Sequence, residues 1–320
     1  MQIAGRLRTP LLSLTITAAL AFGAVEALRA QSAAGNGVPV TVTVTATSHD
    51  KAATASVPEN EVVVRQDGDL RRVISWKSAT HDSQGLDLAI MIDNQLTRRI
   101  SSNFDELRRF VRSQNDKTNV AVVYADYGSA KIEQGFTTDH EQASKAFHIP
   151  SAFRGTSNGT FDSVRDMMKK WPDDGNRRVL VLISSGIDLS DGVSDTNPYR
   201  NLPLDNAIEA AQRANAVIFT IYASGDSRAL RGDFLTINGQ GSLDRMADET
   251  GGKAFFQGLS TPVSLEPFLK QMSGLLGQQY LLTFMAEANS KGDYSRLKVS
   301  SEQSGVELRA PEHVRVPRAQ

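Results

Sequence analysis

The sequence predicts a doubly wound α/β fold: a mostly parallel sheet with helices on both faces, one antiparallel hairpin at its edge, and small β appendages at both ends of the chain. Three observations predict it. The apolar runs at residues 86–92, 179–183 and 216–222 have the length and composition of strands covered on both faces. Segments with apolar residues at helical spacing alternate with them. Two further β-type runs, 119–124 and 130–136, are joined by Asp126-Tyr127-Gly128, which is the pattern of a hairpin.

Composition limits what such a domain can belong to. The chain has 320 residues, 40% hydrophobic and 22% charged, so one α/β domain with appendages accounts for it. Its 35 basic and 36 acidic residues cancel, which leaves no global field to attract nucleic acid or an anionic membrane. The absence of cysteine excludes disulfides, thiolate metal sites, a cysteine nucleophile and a lipidated amino-terminal cysteine.

Residues 1–30 read as a secretory signal peptide. Arg6 and Arg8 precede an almost uncharged run from Leu11 to Ala24, and small residues follow around Ala27 and Ala30. The run is short for a spanning helix of about 20 residues, so no membrane span is expected after cleavage. Because the arginines are not adjacent, the twin-arginine route is not indicated. The mature protein is expected to begin at Gln31 and to be secreted or periplasmic.

Residues 31–85 are expected to form a flexible leader and a small β segment. Valine alternates with threonine over 38–45, the period of a half-exposed strand, and residues 61–64 and 71–76 flank the turn Gln66-Asp67-Gly68-Asp69. The main domain is expected to span 86–277. After its opening strand, Ile100, Phe104, Leu107 and Val111 mark a helix, residues 141–147 a short one, and Phe161, Val164, Met168 and Trp171 another. Further helices are marked by Leu204, Ala207, Ile208 and Ala211, and by Leu243, Met246 and Ala247, the latter capped by Ser242 and stopped by Gly251-Gly252. Residues 224–241, polar and glycine-rich, read as an exposed loop that includes the tripeptide Arg231-Gly232-Asp233, too short a motif to carry weight. A short strand at 253–256 precedes the last helix, which carries Leu265, Phe268, Leu269, Met272 and Leu276. Residues 278–320 close the chain with strands at 280–285, 296–300 and 306–309.

Ligand sites in open α/β sheets lie just past the carboxyl ends of the strands. Here those ends carry Asp93-Asn94-Gln95-Leu96-Thr97 and Ser184-Ser185-Gly186-Ile187-Asp188, and a third loop, Arg154-Gly155-Thr156-Ser157-Asn158-Gly159-Thr160, is rich in hydroxyls. The order of these features resembles the von Willebrand factor A domain. The leading β segment and the tail around Gln279-Tyr280-Leu281-Leu282 further resemble exported bacterial proteins related to it, of the kind first grouped from acidobacteria. The resemblance covers most of the mature chain.

That resemblance implies a metal-ion-dependent adhesion site built from Asp-x-Ser-x-Ser, a loop threonine and a second aspartate, and it implies protein partners held at the strand-end face. Mg²⁺ takes six oxygens in an octahedron. In this chain the first position is Asp93, the serines are Gln95 and Thr97, the threonine position falls on Asn158 with Thr156 nearby, and the aspartate position falls on Ser185 with Asp188 a turn further on. One of two carboxylates is gone and one hydroxyl has become an amide, so no resident metal is expected and Mg²⁺ binding is at most weak. The expected function is a protein-binding module for adhesion or scaffolding with a degenerate site; a metal-dependent adhesin with unusual ligands is the variant of that reading.

The rival is an enzyme. Asp93-x-Gln95-x-Thr97 with a later serine also resembles haloacid-dehalogenase-type phosphatases, in which a second aspartate moves the proton; Gln95 cannot. Gly-x-Ser-x-Gly is absent around Ser185, and His49, His81, His140, His148 and His313 show no metal spacing. No enzymatic activity is expected.

Overall fold

The computed structural model describes residues 37–48, 56–79, 84–150, 159–189, 196–225, 233–288 and 294–317. The expected signal peptide, Thr156, Asn158, Arg231, Gly232, His49 and His81 lie outside them. The chain opens with β1 (Gly37–Ser48), β2 (Val62–Gln66), β3 (Asp69–Arg71) and β4 (Val73–Ser78). Next come β5 (Leu86–Asp93), a 3-10 turn (Arg98–Asn103), α1 (Phe104–Arg112), β6 (Thr118–Asp126), β7 (Ser129–Thr137), α2 (His140–Lys145), α3 (Thr160–Lys170) and β8 (Arg177–Ser184). Then follow α4 (Leu202–Arg213), β9 (Ala216–Tyr222), α5 (Asp233–Glu249), β10 (Ala254–Phe255), α6 (Glu266–Leu276), β11 (Gln279–Glu287), β12 (Tyr294–Ser301), β13 (Val306–Arg309) and β14 (His313–Arg315).

The central sheet has the order β10-β9-β8-β5-β6-β7, parallel except for β7, which returns antiparallel on β6. Strand periodicity sorts its side chains to two cores. Leu88, Ile90 and Ile92 of β5 face Phe104, Leu107 and Met272, while Ala89 and Met91 face Phe161, Met167, Leu204 and Met246. Helices α1, α2 and α6 therefore cover one face and α3, α4 and α5 the other. The fold is doubly wound, with the expected antiparallel edge.

The two expected β appendages are one structure. Strands from both ends of the chain interleave in two four-stranded sheets, β13-β1-β11-β4 and β14-β12-β2-β3. Val42 and Val44 of β1, Val64, Trp76, Phe284 and Leu297 share a third core between them. The Trp76 ring stacks on Tyr280 at 4.3 Å and its indole donates to Val57 O at 2.8 Å. The threonine face of β1, expected to be exposed, is covered: Thr43 and Thr45 are buried, Thr43 N donates to Asn215 Oδ1 (3.2 Å), and Gln279 Nε2 to Thr45 Oγ1 (3.5 Å). The hydroxyl of Thr45 finds a partner there, whereas that of Thr43 is buried without one among the described residues.

Arg177 holds this junction from the other side. Its guanidinium is buried and donates to Leu276 O at 3.1 Å and to Gln279 Oε1. Burial lowers its pKa to about 10, so it stays a cation at neutral pH.

One expected loop is helical. Residues 233–241 belong to α5, and Ser242 is buried inside that helix rather than capping it. The glycines that read as loop are packing residues. A Cβ on Gly239 would stand 2.1 Å from Ser185 O, and one on Gly186 2.1 Å from Gly239 O. Helix α5 thus lies directly on the backbone that follows β8.

Candidate functional site

Three strand ends and one helix start meet at Asp93. Strands β5 and β8 run in register, Ile92 opposite Ile183, so the next pair, Asp93 and Ser184, lies side by side on one face of the sheet. Beyond Asp93 the chain is tied down twice: Asn94 N donates to Ala125 O (3.1 Å) and Thr97 N to Ser224 O (3.0 Å), which joins it to the ends of β6 and β9.

The Asp93 carboxylate is 1% exposed and accepts three hydrogen bonds from the chain itself. Gln95 N donates to Oδ1 at 2.9 Å; Thr160 Oγ1 and Ser184 Oγ donate to Oδ2 at 3.0 and 2.8 Å. Ser184 Oγ in turn accepts from Gly186 N at 3.0 Å. Burial raises the Asp93 pKa; the three donors pull it down by less, and the charge of Asp188 adds to the rise.

Several expected site residues therefore take definite places. Asp93 and Asp188 are both buried and close enough to interact, Gln95 engages Asp93 through its backbone, and Ser185 Oγ accepts from Ile187 N at 3.4 Å. Thr97 is half-buried, and its Oγ1 has no hydrogen-bond partner among the described residues. The hydroxyls on Asp93 come from Thr160 and Ser184, whereas the resemblance implies positions at Asn158, which lies outside the described residues, and Ser185. For Ser184 a signal was there: in-register parallel neighbours share a face, so aligning the buried runs of β5 and β8 places it at Asp93.

The donor set differs from the one that the resemblance implies. The Asp93 carboxylate accepts from three internal donors, one backbone N–H and two hydroxyls. The β8 end offers the hydroxyls of Ser184 and Ser185 where the resemblance implies a carboxylate. Among the described residues, no three His, Cys, Asp or Glu side chains gather as metal ligands.

Burial of Asp93 sets a pH dependence. A carboxyl whose folded pKa is raised binds protons more tightly folded than unfolded, so its contribution to stability is full below the unfolded value and is lost as pH rises through the folded one. Glu133, held low by its hydrogen bond with Lys131, has the opposite sign. Comparing Asp93→Asn with the parent isolates the Asp93 part. Relative to the parent, the variant should gain stability in urea unfolding as pH rises above the unfolded carboxyl value of about 4; a flat difference would mean that Asp93 titrates as it does unfolded.

No protein-family model matches the chain, and no curated protein matches it. Among solved structures it is similar to BatB from Bacteroides thetaiotaomicron, with 13% identity and a TM-score of 0.43 over 60% of this chain and 98% of that one. An aerotolerance-related membrane protein from Bacteroides fragilis gives 14% and 0.42 over the same shares. The VWA domain of SpRpn10 gives 14% and 0.38, over 61% and 97%. All three scores are low, so the fold class rests on this chain's own sheet order, and the site on its own hydrogen bonds.

Proposed function

We propose that this chain is an exported, von Willebrand factor A-like module that binds protein partners at the carboxyl ends of its central strands, without a resident dication. The observation that carries the reading is Asp93, whose carboxylate braces β5, β8 and α3 through three internal donors. A carboxylate used in this way orders the strand-end loops itself, a task that a metal performs in the family the sequence resembles. The opposite ends of the strands are occupied by the sandwich, through contacts such as Arg177 with Gln279 and Asn215 with β1. The carboxyl ends carry loops instead, and loops over a rigid sheet carry binding function.

A second reading keeps a weak metal. Thr97 Oγ1, buried without a partner among the described residues, and the nearness of Asp188 to Asp93 favour it. Photocrosslinking separates the two: a photoreactive amino acid at position 95, with a control at Lys298 on the sandwich, in cells that make the protein. The metal-free reading expects a protein adduct from position 95 that persists in chelator. An adduct only with Mg²⁺ supports the second reading, and no protein adduct overturns both.

Two further outcomes follow from the same reading. No helix among the described residues is long and apolar enough to cross a membrane. Amino-terminal sequencing of the mature protein should return Gln31 from a non-cytoplasmic fraction, and Met1 from the cytoplasm would contradict export. With Gln95 unable to exchange a proton, hydrolysis of a generic phosphate ester should stay at trace level; turnover that disappears in Asp93→Asn would revive the phosphatase reading.

A further inference from the structure

The binding face carries charge that the molecule itself does not use. Arg98 and Arg99 follow Thr97 directly, both are exposed, and neither forms an ion pair among the described residues. On segments tied to theirs, apolar side chains stand in solvent: Val263 is 94% exposed, Phe234 66%, Ile237 60% and Leu259 47%. These residues belong to one rim. Asn103, at the end of the turn that begins with Arg98, donates through Nδ2 to Val263 O at 3.0 Å. Thr97 N reaches Ser224 O at 3.0 Å, and Ser224 is tied to Thr261 by two hydrogen bonds of 2.9 and 3.1 Å. Gln240 Nε2, one helical turn from Ile237, closes the rim on Gly258 O at 2.7 Å.

We propose that this rim is the docking surface for an extended protein segment that carries carboxylates beside apolar side chains. The inference rests on the reading of the strand-end face as the binding face and names the chemistry of its partner. A guanidinium presents a planar fork that matches a carboxylate with two parallel hydrogen bonds, and two such forks stand unpaired here. Several exposed apolar side chains on one rim are the mark of a protein contact, since soluble surfaces otherwise carry such residues singly. Charge complementarity then selects an acidic, apolar segment over a neutral one. An anionic membrane is the poorer match, because lipid recognition of this kind uses about 4–8 basic residues and the described residues of the rim offer Arg98 and Arg99.

The test is selection of a random displayed peptide library against the full mature chain. Enriched peptides should hold Asp or Glu within a few positions of Leu, Ile or Phe. Their affinity should fall about tenfold or more in the double variant Arg98→Glu, Arg99→Glu, and should weaken as NaCl is raised. Both arginines are exposed, so the double variant should melt with the parent, and that melt is its folding control. Enriched peptides without acidic bias, or with affinity unchanged by the double variant, overturn the proposal. If those same peptides are displaced by Gln95→Trp, the binding-face reading survives and only the partner chemistry falls. No enrichment at all counts against both. Vesicles containing phosphatidylserine serve as the other probe: binding to them that the double variant loses, without peptide enrichment, would assign the rim to a membrane and overturn the proposal.

Discussion

Truncating Phe284 to alanine is expected to lower the unfolding free energy by about 3–5 kcal/mol. Phe284 is fully buried in β11, and the core around it includes Val42, Val44 and Val64 from one end of the chain and Leu297 and Val299 from the other. Removing the ring costs its transfer energy and leaves a cavity between two sheets that cannot close without shifting paired strands. The chain has two tryptophans, which makes the loss easy to place. Trp76 lies in the same core, stacked on Tyr280, and Trp171 packs against the central sheet. In a Trp171→Phe background, urea unfolding followed by fluorescence reads the sandwich alone. A midpoint unmoved by Phe284→Ala would mean that the two ends of the chain do not share a core.

Gly239→Ala is expected to destabilise by about 3 kcal/mol, at the upper end of what overpacking usually costs. Helix propensity predicts the opposite sign, since alanine in a helix interior is better than glycine by about 1 kcal/mol. Sterics decide, because the new methyl would sit 2.1 Å from Ser185 O, and that atom is backbone and cannot rotate aside. At about 2–4 °C per kcal/mol for a domain of this size, the melting temperature should drop by roughly 10 °C. Gly274 in α6 is the control: nothing lies within 4 Å of its Cβ position, so Gly274→Ala should be neutral or slightly stabilising. Equal signs for the two changes would show that α5 does not rest on the β8 end as described.

Periodicity made the central domain legible. The runs that became β5, β8 and β9 are almost wholly apolar and buried at every position because helices cover both faces, and the Asp126-Tyr127-Gly128 turn marked the antiparallel edge. Sequence patterns say little about which distant strands pair, so the segments before and after the domain read as separate appendages. Only their register, such as Val64 opposite Val299 and Trp76 opposite Leu282, reveals the common sandwich. Helix α5 was hidden for a related reason: Gly239 and Gly241 mark close approach to other backbone or proline, and in a linear sequence that cannot be told from flexibility. At the site, Asp93 stood out as a carboxylate ending a buried strand. Its partner Ser184 follows from aligning the buried runs of β5 and β8, whereas Thr160 starts helix α3, which strand register does not place.

Whether Asp93 is held by the chain's own donors or waits for an ion is answered most directly by a Mg²⁺ titration of the melting temperature. Calorimetric scans of the mature protein with rising MgCl₂, against NaCl at matched ionic strength, should coincide, and Asp93→Asn should respond to Mg²⁺ as the parent does. A ligand that binds only the folded state would add about 2.7 kcal/mol at a hundredfold excess over its Kd. A saturable upward shift of that kind in the parent, absent in Asp93→Asn, would contradict the metal-free site and assign Asp93, Thr97 and Asp188 to an ion.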